Sequence, residues 1–260
     1  RLNDVKKDTA QTEAYTYDPV GNRMTSATAS NWAYNQNNEL QSNNGTTYQY
    51  DQNGNTIQRN AGGQVQNYVY DGDNRLIEVK DGSSGTVATY AYDPFGRRVK
   101  KDVGGTATHY LYSDEGLIGE YSSTGTEIKT YGYKPNSTWT TDPLFMREGA
   151  NYYFYHNDHL GTPQKMTNVS GAAVWSATYD AFGKATVDTG STVANNLRFP
   201  GQYYDAETSL HYNGNRYYDS DMGRYLAGDP LGLYSGVNLY RYARTNPLSY
   251  IDPIGLKEEE

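Results

Sequence analysis

The apolar positions of this chain are dominated by tyrosines spaced two residues apart. Six Tyr-x-Tyr units occur in the first half of the sequence, at 15/17, 48/50, 68/70, 90/92, 110/112 and 131/133. A spacing of two places both rings on the same face of a β-strand. After the first interval the units recur roughly every twenty-one residues, a period typical of stacked repeats. The pattern therefore predicts strands that arrive at regular intervals along the chain.

A turn signal follows most of these strands. Four of the units run directly into aspartate, at Asp18, Asp51, Asp71 and Asp93, and glycine, asparagine or proline comes within the next few residues. Aspartate bonds its own backbone in turns, and glycine accepts the left-handed position. Each period thus predicts strand, turn and strand. Because one hairpin cannot bury its own face, neighbouring hairpins must supply the core. A generic β-sandwich is the alternative, but it would not repeat the same dipeptide so regularly.

The second half carries longer motifs. These are HNDHLGTP at 156–163, YDAFG at 179–183, FPGQYYD at 199–205, RYYD at 216–219, GRYL at 223–226, and Asp-Pro-x-Gly-Leu written twice, at 229–233 and 252–256. Together with the Tyr-Asp turns, these motifs resemble the YD repeats and the repeat-associated core of the RHS (rearrangement hotspot) family. The resemblance covers essentially the whole chain and is most specific over 150–256.

The resemblance implies an all-β fold in which stacked YD-repeat hairpins form a curled, spiralling sheet. This sheet is part of a hollow shell that is plugged at one end by the RHS core. We expect a YD-repeat region over 1–145, the core with an autoproteolytic segment over 146–256, and a tail over 257–260. In this family a variable toxic effector lies beyond the terminal Asp-Pro-x-Gly-Leu, and the shell cleaves itself after that leucine.

Asp229 and Asp252 are the candidate catalytic residues. Two neighbouring carboxylates cannot both ionise cheaply, so one can act as an acid while the other acts as a base. By resemblance these two aspartates form the catalytic pair, and Leu256–Lys257 is the bond that is cut. Arg224 or Arg241 could orient one aspartate, although either could equally be an ordinary surface partner. Spacing alone also allows both aspartates to be turn residues, as Asp-Pro is elsewhere in the chain.

Two other features suggest binding chemistry. His156 and His159, with Asp158 between them, could form a metal site. The segment supplies neither an open coordination position for catalysis nor residues that would orient the metal ligands. Turn or packing roles are the better interpretation, and we expect neither a metal nor a cofactor. The rows of tyrosine could stack on sugar rings, but packing within the sheet explains the same alternation.

Composition narrows the choice of partners. Apolar residues make up 36% of the chain, the net charge is −8 and there is no cysteine. The acidic balance argues against a nucleic-acid partner, and disulfides are excluded. No apolar run is long enough for a membrane span, and the first residues do not resemble a signal peptide. By resemblance, the protein is secreted, or displayed or delivered by a bacterial secretion system.

The sequence therefore predicts part of a polymorphic-toxin shell that releases its own C-terminal effector by aspartyl-type self-cleavage. The expected partners are that effector and the rest of the shell. The first strand, near Tyr15–Arg23, is expected to form an open edge through which copies could associate. Two alternatives remain: a non-catalytic adhesion or carbohydrate-binding scaffold, and an orphan core that no longer cleaves.

Overall fold

The computed structural model describes residues 1–7, 10–26, 29–256 and 258–259, and it confirms the predicted all-β architecture. The strands are β1 Asp4–Lys7, β2 Ala10–Ala14, β3 Thr16–Tyr17, β4 Arg23–Thr25, β5 Ala33–Tyr34, β6 Leu40–Asn43, β7 Thr46–Tyr50, β8 Thr56–Ala61, β9 Gln64–Tyr70, β10 Leu76–Asp81, β11 Thr86–Tyr92, β12 Arg98–Val103, β13 Thr106–Ser113, β14 Gly116–Ser122, β15 Glu127–Tyr133, β16 Pro143–Glu148, β17 Asn151–Asn157, β18 Pro163–Asn168, β19 Ala173–Tyr179, β20 Ala185–Val187, β21 Tyr203–Asp205, β22 Leu210–Asn213, β23 Arg216–Asp219 and β24 Arg224–Tyr225. Two short 3₁₀ turns, Gly232–Ser235 and Ala243–Thr245, follow the last strand.

One large antiparallel sheet forms the wall of the molecule. Its sixteen strands, β5 to β20, are paired in the order of the sequence, so each strand is joined to the next by a hairpin. The predicted domain boundary between 145 and 146 falls inside β16, and the same sheet continues to β20 at Val187. Strand pairing therefore passes through that boundary without interruption.

The Tyr-x-Tyr rows line the inner face of the wall. In each pair the first ring is buried, as in Tyr48, Tyr90 and Tyr131. The second ring is half-buried, and its hydroxyl often donates to a carbonyl of the preceding strand, as Tyr112 does to the Arg98 carbonyl oxygen at 2.8 Å. An amphipathic side chain suits this position because the ring packs while the hydroxyl finds a partner.

The wall packs around a core made by the residues that follow it. This core contains the four-stranded sheet β21–β24. Tyr217 of the core packs on Tyr90 of the wall, and Tyr203 packs on Tyr110, with ring centroids 5.4 Å apart in both pairs. Arg98 of the wall is fully buried and pairs with Asp205 of the core. Because neither layer buries its apolar face alone, wall and core form one folding unit.

The start of the chain meets the end of the wall. Tyr15 packs edge-on against Phe182, in the turn that follows β19, with centroids 5.0 Å apart. The short strands β3 and β4 pair with each other, while the outer strands of the large sheet are β5 and β20. The segment Tyr15–Arg23, predicted to be an open edge of the wall, therefore lies across the seam between the first and last repeats. Self-association through this segment remains a prediction.

Within the described residues, there is no helix that is long and apolar enough to cross a membrane. Of the predicted tail, the structure describes Glu258 and Glu259. Lys257, on the far side of the predicted cleavage site, lies outside the described residues.

Candidate functional site

The turns of the wall explain how the aspartates are held. In a typical turn, Asp93 Oδ1 accepts hydrogen bonds from the backbone N–H groups of Phe95 and Arg97, both at 2.9 Å. Its other oxygen, Oδ2, accepts from the Arg97 side chain at 2.7 Å. At Asp18, Asp51, Asp71 and Asp93 the side chain four residues after the aspartate thus occupies the second carboxylate oxygen, and neither oxygen is left for other chemistry.

Asp229 and Asp252 differ from the wall turns at that fourth residue. Four positions after each of them stands a leucine, Leu233 and Leu256, which cannot donate a hydrogen bond from its side chain. Oδ1 is still used locally, because Asp229 accepts the Leu231 N–H at 2.9 Å and Asp252 accepts the Leu256 N–H at 3.0 Å. Oδ2 of each carboxylate is therefore available to a group from elsewhere.

That group is Arg216, the first residue of β23. Its Nη2 lies 2.8 Å from Asp229 Oδ2 and 3.2 Å from Asp252 Oδ2. The two oxygens are thus within about 6 Å of each other, the sum of those distances. At most 3% of each of the three side chains is exposed. The structure therefore brings together the two aspartates that the sequence analysis singled out, around one buried guanidinium.

Arg216 is itself tightly fixed. Its Nε donates to the Gly255 carbonyl oxygen at 2.7 Å, and Nη1 donates to the Leu239 carbonyl oxygen at 2.9 Å. The guanidinium carbon lies 3.5 Å from the centroid of the Tyr225 ring, a cation–π contact. One arginine thereby links the core sheet to both Asp-Pro-x-Gly-Leu segments.

Asp252 has the more enclosed carboxylate. Its Oδ2 accepts the Tyr225 hydroxyl at 2.7 Å as well as Arg216. Burial raises the pKa of Asp252 above its ordinary value, and nearby Asp229 adds to that rise. Arg216, Tyr225 and the Leu256 N–H act in the opposite direction because they stabilise the charged form. The net direction is upward, which favours the protonated acid.

The backbone of 252–256 lies against the core sheet with almost no space to spare. A Cβ added to Gly201 would lie 1.8 Å from the Pro253 carbonyl oxygen, and one added to Gly214 would lie 2.6 Å from that of Ile254. Asn213 holds the same segment by donating from Nδ2 to the Asp252 carbonyl oxygen at 2.9 Å. The glycines of the core motifs thus permit the close approach that delivers Leu256 to the site.

A cavity of about 480 Å³ opens beside the carboxylates and is lined by Asp229, Asp252 and Leu256, among other residues. The Leu256 N–H lies 3.0 Å from Asp252 Oδ1. Standard backbone geometry then puts the Leu256 carbonyl carbon at most about 5.5 Å from that oxygen. A peptide carbonyl, two carboxyl groups and space for water are therefore close together.

The two arginines proposed to support the dyad lie in different places. Arg224 points to the wall, where it donates to the Asn38 carbonyl oxygen at 2.5 Å and lies over the Tyr34 and Tyr240 rings. Arg241 lines the cavity, but its guanidinium pairs with Glu258 at 3.3 Å. The residue that contacts both carboxylates is Arg216, which the sequence analysis quoted within a motif but did not assign to the site.

The histidine segment makes separate local bonds. His156 Nε2 bonds the Thr167 hydroxyl and His159 Nε2 bonds the Leu248 carbonyl oxygen, each at 3.0 Å. Asp158 is a turn aspartate of the wall type, because its Oδ1 accepts the N–H groups of Leu160 and Thr162. Each of the three side chains therefore has a structural partner of its own.

Comparison with known proteins gives this fold a context. The sequence model of the family described as Teneurin YD-shell matches residues 1–248. Double-stranded DNA deaminase toxin A of Burkholderia cenocepacia is 33% identical, over 94% of this chain and 19% of that toxin. Toxin protein Tse5 of Pseudomonas aeruginosa is 42% identical over 41% of this chain and 8% of that protein. The chain thus spans a fifth or less of the length of these toxins.

Solved structures of other proteins share the architecture of this chain. The crystal structure of TcdB2–TccC3 has a TM-score of 0.56 and 19% identity over 96% of this chain and 18% of that chain. The Photorhabdus luminescens Tc holotoxin pore gives the same TM-score and identity over 96% of this chain and 17% of that one. At this level of identity the likeness concerns the fold alone.

Proposed function

The chain belongs to the Teneurin YD-shell family of RHS and YD-repeat proteins, and from that premise we propose that it cuts itself once, after Leu256. In this proposal the chain is the C-terminal part of a toxin shell, and the cut frees an effector that follows the shell. The effector and the remainder of the shell are its partners. Secretion or delivery by a bacterial machine is the corresponding location.

One observation carries the proposal. Two buried carboxylates share a guanidinium, and one of them, Asp252, bonds the N–H of the residue that precedes the bond to be cut. An aspartyl mechanism needs two carboxyl groups and a carbonyl within reach of one another. Wall turns such as those of Asp71 and Asp93, in which both oxygens of the aspartate are satisfied locally, do not meet this requirement.

The roles are assigned from the surroundings of Asp252. Asp252 is the acid, because burial raises its pKa, and Asp229 is the base that activates water. Water attacks the Leu256 carbonyl carbon and gives a proton to Asp229, while Asp252 gives its proton to the carbonyl oxygen. The gem-diol intermediate then collapses: one of its hydroxyls returns a proton to Asp252 as the carbonyl re-forms, the bond to Lys257 breaks, and the leaving nitrogen takes up the proton from Asp229. The products are a carboxyl group on Leu256 and a free amine on Lys257.

The placement of Arg216 favours a second candidate function. A guanidinium that contacts both carboxylates stabilises their charged forms, whereas the acid–base mechanism needs one proton on the pair. A non-catalytic scaffold would use the same three residues as a buried ion cluster that fixes the end of the chain to the core. In that case the aspartates have a purely structural role, and the bond after Leu256 stays whole.

Intact mass separates the two functions. The chain is produced with a folded reporter joined after Glu260, beside Asp229→Asn and Asp252→Asn variants. Self-cleavage predicts that the unsubstituted protein ends at Leu256, while both variants retain the reporter. If all three proteins keep the reporter, the proposal fails and the scaffold remains.

A matched control distinguishes chemistry from folding. Asp93→Asn alters an aspartate that also precedes a proline and closes a turn, but that lies on the wall. This variant should cleave at the unsubstituted rate. Equal loss of cleavage in Asp93→Asn and Asp229→Asn would show that turn stability, rather than the dyad, controls the reaction.

A further inference from the structure

The acidic residue two positions after Leu256 is held by two arginines. Arg244 Nε lies 3.2 Å from Glu258 Oε2, and Arg241 Nε lies 3.3 Å from Glu258 Oε1. The backbone N–H of Arg244 also donates to Glu258 Oε1, at 2.8 Å. Both carboxylate oxygens are therefore occupied by donors. The Glu258 side chain is only 17% exposed, in contrast to the exposed Glu259 side chain.

The backbone of the next residue is fixed as well. The Ile251 N–H donates to the Glu259 carbonyl oxygen at 2.9 Å, and the Glu259 N–H donates to the Ile251 carbonyl oxygen at 2.7 Å. This isolated antiparallel bridge places Glu259 beside the residue that precedes Asp252. Residues on both sides of the proposed cut are thus anchored to the same short segment.

Arg244 lies on a strained turn. Ala243, Arg244 and Thr245 have φ angles of 44°, 52° and 57°, so three consecutive residues other than glycine adopt the left-handed conformation. Such residues are strained and persist only where the surroundings enforce them. The left-handed turn directs the Arg244 N–H and guanidinium toward one carboxylate. Successive N–H groups in such turns form concave sites for anions.

We infer that Arg241 and Arg244 form a carboxylate-binding subsite that recognises an acidic residue at the second position after the cut. This inference rests on the proposed self-cleavage. The subsite fixes Glu258 beside the cavity that the two carboxylates line, and after cleavage it retains the released segment through that residue. Arg241 is thereby a positioning residue, acting through Glu258 rather than through either aspartate.

Contact geometry distinguishes this cluster from an ordinary surface pair. A single exposed ion pair contributes little to stability. Here one carboxylate accepts from two guanidinium groups and from a backbone N–H, and charge-assisted bonds of this kind are stronger than neutral ones. Glutamate at 258 satisfies all these donors, whereas glutamine leaves their positive charge uncompensated.

Hydrogen exchange tests the subsite without depending on cleavage. In an Asp229→Asn background, which keeps the chain whole, the amides of Ile251 and Glu259 are followed by NMR. Glu258→Gln should speed their exchange about three- to tenfold, in line with the loss of a partly buried charged bond. Glu259→Gln is the control, because it removes the same charge from a side chain that is exposed. Unchanged exchange in Glu258→Gln, or equal acceleration in both variants, overturns the inference.

The cleavage reaction supplies the second test, on the reporter fusion with both aspartates present. Glu258→Lys should slow cleavage at least tenfold through repulsion by both arginines, and Arg244→Glu combined with Glu258→Lys should recover part of the rate. If the fusion never cleaves but Glu258→Gln alone still accelerates exchange, the proposed function fails while the carboxylate site stands. If the cleavage rate does not change when residue 258 is substituted, Arg241 has no positioning role.

Discussion

Arg216→Met is the substitution that best tests whether the two buried aspartates depend on the charge of one shared arginine. Methionine approximates the length of the arginine and packs against Tyr225, but it carries no charge and no donor. Asp229 and Asp252 would then be buried carboxylates without their shared cation, and the Gly255 carbonyl would lose its donor. Removing one partner of a buried ion pair costs about 3–5 kcal/mol. We expect a loss of that size in the free energy of unfolding at pH 7.

The loss in the free energy of unfolding caused by Arg216→Met should depend on pH. In the variant, the buried carboxylates bind protons more tightly in the folded state than in the unfolded chain. Stability linked to such groups rises as the pH falls into the range in which the folded state takes up the protons. The difference between Arg216→Met and the unsubstituted protein should therefore be largest at neutral pH and shrink toward pH 4.

Urea unfolding followed by tryptophan fluorescence at pH 7 and pH 4 measures both quantities. The triple variant Arg216→Met, Asp229→Asn, Asp252→Asn should recover most of the lost stability, because no unpaired charge remains. A loss below about 1 kcal/mol at pH 7, or one that is the same at both pH values, would refute the buried-charge argument.

Three further variants address the surroundings of the site. Gly201→Ala would force a Cβ against the Pro253 carbonyl oxygen, and we expect a loss of roughly 3 kcal/mol or more in urea unfolding together with rapid protease cleavage of 252–256. Burial lowers the pKa of His211 to about 3. Because the unfolded state then binds the proton first, stability should fall as the pH drops from 6.5 toward 3, by about 1.4 kcal/mol per unit, and His211→Gln should flatten that slope in acid titrations. Burial raises the pKa of Asp219, so its ionisation opposes folding above the ordinary aspartate pKa. Asp219→Asn should raise the urea midpoint at pH 7, with the gain vanishing at low pH.

The glycine and histidine variants each have a control in the chain. Gly125 has a φ of 80°, close to the 79° of Gly201, but a Cβ there meets nothing within 4 Å. Gly125→Ala should therefore reveal the backbone strain without the clash. His156→Gln, at an exposed position, should leave the acid slope unchanged. An equal effect of the two alanine substitutions would contradict the packing argument.

The repeat was predictable from the sequence because its signals are local. Tyrosine at period two and aspartate at the strand end specify hairpins whatever lies around them, and Tyr90 and Asp93 occupy the positions these rules predict. The extent of the wall was harder to predict. The later motifs resemble the core in sequence, yet β17 to β20 pair as ordinary wall strands.

The site was only half predictable. The two aspartates stood out because their sequence context is nearly identical, but four arginines follow Phe199, and which of them reaches the aspartates depends on long-range strand register. Arg216 reaches the pair because it begins β23, opposite Asn213, which itself holds the segment from Asp252 onward. Arg224, one strand farther along, faces the wall instead. The leucine four residues after each aspartate was the available signal, since it marks a turn whose second oxygen lacks a local donor.

The turn that closes each wall hairpin has an evolutionary consequence. Many wall turns, those of Asp51, Asp71, Asp93, Asp158 and Asp180 among them, carry a carboxylate that backbone N–H groups of the same turn hold at a fixed angle. Exchanging the fourth residue, Arg97 in one such turn, for an apolar one would free an oxygen without unmaking the turn. A reactive centre can therefore arise in this architecture through the loss of one local hydrogen-bond donor. Duplication of the repeat supplies many turns in which that loss can occur.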